Sequence, residues 1–90
     1  MARMGMDVEA VEGVAHQLDG LASQIESLTS QINGKVHQLP GIWEGQDART
    51  FVDTWWPQHQ KSLKAAADAV RGLSKSALAN ANDQRNVSGH

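Results

Sequence analysis

The sequence predicts an all-α chain: an antiparallel helix-turn-helix hairpin that dimerises into a four-helix bundle. Three observations carry this. A heptad of apolar residues runs through the first half, Leu39-Pro40-Gly41 interrupts it, and a second helical period follows. With 90 residues and no cysteine, the chain makes one small domain, spanning 1–90, with no disulfide or zinc-thiolate to reinforce it. A core this size is marginal, so association with another chain is the remaining source of stability.

Helix 1 is predicted over about residues 7–39. Its apolar residues Val11, Val14, Leu18, Leu21, Ile25, Leu28 and Ile32 alternate spacings of three and four, the a and d places of a heptad. Leu39 rejoins the seam, and Lys35 takes the d place between. Ala15, Ala22, Thr29 and Val36 flank it at position e. Gly13, Gly20, Ser27 and Gly34 form a c-position stripe, either a face that lets another helix approach closely or, the preferred reading, a solvated surface far from the seam. Each glycine costs about 1 kcal/mol relative to alanine, so packing must hold this helix together.

Residues 40–45 form the loop. Pro40 disfavours helical geometry at Leu39, and Gly41 permits a turn. Helix 2 is predicted over about 46–80, with Asp47 favourable to its dipole. Its apolar set includes Phe51, Val52, Trp55, Leu63, Val70 and Leu73, and the period slips near His59, just past Pro57. An internal proline removes a hydrogen bond, so a bend or short break is expected around Trp55 to Gln58. Trp55 fits the seam. Its neighbour Trp56 belongs on the flank, either as an exposed anchor or lying against the first helix or the proline kink. His59, one turn after Trp55, packs on it. From Asn80 the residues are poor helix formers, which predicts a flexible tail over 81–90.

Folding the chain about residue 42 sets Ile32 near Val52, Leu21 near Leu63, Val14 near Val70 and Val11 near Leu73. A lone hairpin nevertheless leaves the far side of so wide a stripe in water. A second hairpin closes it.

The formal charge of −2 gives no general pull toward nucleic acid. Residues 7–39 carry five acids against Lys35, and residues 45–85 carry six bases against four acids, which suits antiparallel neighbours. No apolar run approaches the roughly 20 residues that span a bilayer, and the N-terminus does not read as a cleavable signal. The four histidines have no metal-ligand spacing, no phosphate loop or catalytic triad context appears, and the carboxylates are scattered. No enzyme, metal or cofactor is expected.

Trp43-Glu44-Gly45 stands at mid-chain between two amphipathic helices. In this the chain resembles the WXG100 family, the ESAT-6-like proteins of type VII secretion systems. Ala48, Phe51 and Trp55 after the turn, and Leu78-Ala79-Asn80-Ala81 near the end, are also similar to members. The resemblance implies a homodimer, or a heterodimer with another WXG100-like chain, exported folded from the bacterial cytoplasm without a cleavable signal. It implies that Trp43 and Gly45 belong to the export motif, beside the partner's C-terminal segment. The family's Tyr-X-X-X-Asp/Glu element is missing: the chain has no tyrosine, and Ala79 stands four residues before Asp83. Either the partner supplies that element, or a divergent signal is read, or the chain is not exported independently. A non-exported adaptor or chaperone hairpin for a larger effector or toxin is the alternative reading. A membrane-disrupting factor is the weakest, because the first helix is acidic.

Overall fold

The computed structural model describes the backbone of residues 7–88 and the side chains of residues 7–86. Helix α1 spans Val8–Val36. Asp7 caps it by accepting the Ala10 N–H at 3.1 Å, while Glu9 in the first turn and Lys35 in the last complement the helix dipole. It stops three residues short of the predicted end at Leu39. A single 3₁₀ turn, Leu39–Gly41, replaces the last turn because Pro40 sits at its start and cannot donate into an α-helix.

The return rod begins with a short helix, α2, over Gln46–Thr50. It passes through a π-helical turn, Phe51–Trp55, and ends in the long helix α3, Trp56–Ser88. The expected disturbance at Pro57 takes the form of this π turn just upstream of the proline. The Trp56 N–H reaches back five residues to the Phe51 carbonyl. Widening the turn relieves the proline ring's conflict with the carbonyl four residues before it, and the rod is not broken.

The predicted tail is helix instead, through Ser88, with residues 89–90 outside the described set. Packing overrides the poor local propensities. Ala81 is buried, and Arg85 makes a two-pronged pair with Glu12 at 2.8 and 2.9 Å, tying this last stretch to the start of α1.

The two long helices lie antiparallel in a rod 67 Å long and 17 × 16 Å across. The seam between them is not the a/d seam. It is the e row of α1, Ala15, Ala22, Thr29 and Val36, facing Ala67, Ser74 and Ala81 of α3. The expected pairings about residue 42 are therefore shifted. The Ser74 hydroxyl donates to the Ala15 carbonyl at 2.7 Å, and the Trp56 indole N–H donates to Asn33 Oδ1 at 2.9 Å. Both pairs mirror about the Glu44–Gly45 step, which sets Ala22 level with Ala67, each 0% exposed. Small residues at sevenfold spacing let the backbones approach, and a serine hydroxyl fits where it finds a carbonyl. Among the described residues, the large buried side chains Trp56, Val36 and Val52 form a cluster at the loop end, flanked by Leu39, Phe51 and Leu63.

Candidate functional site

The predicted seam residues separate into two groups. Val11, Leu18 and Ile25 of α1, with Phe51, Leu63 and Val70 of the return rod, are half-buried along the edge of the hairpin contact, and Val52 is buried. Val14, Leu21, Leu28, Ile32 and Leu73 are exposed, Leu28 by 56% and Leu73 by 58%. The structure brings these residues to one face, but not into contact across the hairpin as the sequence suggested. Once position e faces α3, the a row lies at the margin of the contact and the d row beyond it, since successive heptad places turn by about 100°. One long apolar face is left uncovered. At its open end it forms a trough of about 280 Å³ lined by Val11, Val14, Leu18 and Ala77.

Charge occupies the other side of the contact. Arg71 reaches across from α3 to hold Glu26 at 2.9 and 3.0 Å, with Ser23 at 3.1 Å and Asp19 at 3.5 Å. Hydrogen bonding to Arg71 holds the Glu26 carboxyl below its ordinary value. The same bond and the nearby Asp19 and Asp68 charges hold Arg71 more firmly protonated. Arg85 is held protonated by Glu12 in the same way. The hairpin thus has a charged side, held by Arg71 and Arg85, and a mostly apolar side on which Lys35 takes a d place at the loop end.

At the loop end stands the Trp-X-Gly turn. Gly45 is the N-cap of α2 at φ 121°, ψ 176°, a backbone region open in practice only to glycine. No atom lies within 4 Å of where its Cβ would stand, so conformation rather than crowding demands glycine. The Trp43 N–H donates to the Leu39 carbonyl at 2.7 Å, which directs the ring toward the return rod. There it starts an aromatic ladder. Trp43 and Phe51 lie 6.3 Å apart and tilted, Phe51 and Trp55 stack at 4.8 Å, and Trp55 and His59 stack at 3.7 Å. His59 Nδ1 donates to the Trp55 carbonyl at 2.8 Å, which fixes the ring over the indole. Ile42, 82% exposed, projects from the tip.

The two adjacent tryptophans exchange the places expected for them. Trp56 is buried at 4% exposure and Trp55 is exposed at 45%. The π turn inserts an extra residue into the helical count, advancing the phase so that Trp56 inherits the core direction. The sequence places Arg71 on a solvated face of the second helix, whereas it bonds across to Glu26 and Ser23, and it gives no role to Asn33, Ser74 or Arg85, which fix register and close the hairpin. The sevenfold spacing of Ala67, Ser74 and Ala81 was the available signal for the seam.

Among the described residues the apolar trough is open, and the aromatic ladder runs along the return rod from the Trp-X-Gly turn. Among the described residues no cluster of potential metal ligands occurs, and no helix is long and apolar enough to cross a membrane. The chain belongs to the WXG100 family: the family model, described as "Proteins of 100 residues with WXG", matches residues 3–86. No curated protein and no solved structure matches it.

Proposed function

We propose that this WXG100 chain is a substrate or export partner of a type VII secretion system, working as a single hairpin module through a helical bundle formed with another hairpin. The observation that carries the reading is the uncovered a/d face, with Val14, Leu21, Leu28 and Leu73 in water, running toward the aromatic ladder at the Trp-X-Gly turn. Burying such a face stabilises by about 25 cal/mol per Å² of apolar surface, which a thin alanine seam cannot match. The seam residues carry assembly. Trp43 and Gly45 carry recognition by the export machinery, with Gly45 setting the angle at which Trp43 meets Phe51. The protein is made in the bacterial cytoplasm and leaves by the type VII route.

The test is export of Trp43→Ala, compared with the parent in culture medium and cell pellet of a host with such a system. The variant should remain in the pellet while still folded. Equal amounts of folded variant and parent in the medium would refute the role of Trp43.

A second reading is an adaptor hairpin for a larger effector, with no export of its own. It is favoured by the absence of tyrosine, which leaves Ala79 where the export element resembles Tyr-X-X-X-Asp/Glu. Under that reading the parent chain also stays in the pellet until the effector is co-expressed.

A further inference from the structure

The apolar rows of the return rod are out of step by one residue. On α3 the buried row Ala81, Ser74 and Ala67 runs back by sevens to Gln60 and then to Asp53, which is exposed. The half-buried row of Val70 and Leu63 runs back to Trp56 and then to Arg49, also exposed. The buried residues upstream of Trp56 are instead Val52 and Ala48, each one place before those rows. Counted forward from Ala48, the same sevenfold step reaches Trp55. Between Val52 and Leu63 the rod must therefore take up one extra residue, and where it does so decides which tryptophan enters the core.

Two placements satisfy both sets of rows. With the extra residue before Trp56, that ring is buried and Trp55 is left outside. With it after Trp55, the α-helical count from Ala48 continues unbroken and Trp55 takes the core. Pro57 separates the two. An unbroken α-helix from Asp53 to Pro57 drives the proline ring against the Asp53 carbonyl, whereas a widened turn just upstream relieves that conflict. The structure has the first placement: the Trp56 N–H reaches the Phe51 carbonyl, and the Trp56 indole N–H donates to Asn33 Oδ1 at 2.9 Å.

The widened turn also builds the stack outside. In an α-helix, side chains four residues apart are offset by about 40° around the axis. A wider turn brings them nearly into line, and Phe51 and Trp55 stack at 4.8 Å with 17° between their planes. His59 stacks on Trp55 at 3.7 Å, and Trp43 meets Phe51 at the loop end.

We propose that Pro57 is a positioning residue: it fixes the extra residue upstream, so that Trp56 fills the core and Trp55 stays on the surface as the middle of the ladder behind Trp43. Its consequence for export rests on the reading of Trp43 as a recognition residue; the choice between the tryptophans does not. The test is NMR of the isotope-labelled parent and Pro57→Ala, following exchange of the three indole N–H groups with water and the ring contacts of Phe51. In the parent the Trp56 indole should exchange slowest, and Phe51 should contact Trp55. In Pro57→Ala the Trp56 indole should exchange about tenfold faster, with the Phe51–Trp55 contact weakened and Trp55 gaining protection. This is expected although alanine is the better helix former. Adding Trp55→Gln to Pro57→Ala removes the competing ring and should restore slow exchange at Trp56.

A proline acting on helix stability alone predicts the reverse, with slower exchange at Trp56 in Pro57→Ala and the Phe51–Trp55 contact intact. That result would overturn the proposal. Loss of helical circular dichroism in Pro57→Ala would do the same, since both placements are helical. If Trp55→Gln failed to restore protection, the competition between the two rings would be refuted. Export of Pro57→Ala should fall several-fold; parent-level export alongside the altered exchange would refute the consequence for export. Normal export of folded Trp43→Ala would end the recognition reading while leaving the NMR comparison to decide on Pro57.

Discussion

At the residue scale the structure turns on a few positions whose neighbours do not share their role. Gly45 is required for its φ of 121°, so Gly45→Ala should cost about 1–3 kcal/mol in a urea titration, from backbone strain alone. Trp56→Ala removes a buried indole together with its bond to Asn33 and should cost about 3–5 kcal/mol. Trp55→Ala should cost far less in the isolated hairpin while removing the centre of the aromatic ladder. Trp43 and Gly45 were legible in the sequence, because a Trp-X-Gly triplet at mid-chain between two amphipathic helices marks the turn by its composition alone. His59 was legible too, as the residue stacked on Trp55 one helical turn away. The order of Trp55 and Trp56 was not legible, since an α-helical count cannot anticipate a π turn that forms only to accommodate Pro57.

At the scale of elements, most of the helical content follows from period and caps, and the departures follow from tertiary contact. The heptad over α1 and the Asp7 cap are readable in one dimension. Helix α3 beyond Asn80 was not readable, because Asn82, Asp83 and Asn86 argue locally against a helix that Ala81 and Arg85 hold from across the hairpin. Removing residues 81–90 should therefore lower the melting temperature by several degrees, through lost burial at the α1 N-terminus. A chain that melts unchanged would mean that the last turns contribute nothing. The ion pairs between elements give a pH dependence. Glu26 titrates in the folded chain below its ordinary value of 4.5, chiefly through its hydrogen bond to Arg71. A lowered folded value makes this contribution complete above 4.5 and lost as the pH falls through the lowered value. Melting temperature should hold steady down to about pH 5 and then decline, with Arg71→Gln flattening that decline.

For the whole molecule, the hairpin architecture was legible and its closure was not. The same apolar ridge is compatible with a seam along a/d or along e, and only the sevenfold alanines and serine of α3 decide between them. Choosing e brings the backbones close through Ala22 and Ala67 and leaves Leu21, Leu28 and Leu73 exposed. The segregation of charge to the opposite side follows from the same choice, since the b rows of both helices then meet over Arg71 and Glu26. A rod 67 Å long with an alanine seam and one uncovered apolar face is what the proposed helical bundle would complete. The most direct measurement is the thermal midpoint of the purified chain across a wide dilution series. Coverage of the open face by a second copy requires the midpoint to rise with concentration, because association couples to folding. A midpoint that stays constant at every dilution, in a chain that sediments as a monomer, would contradict it.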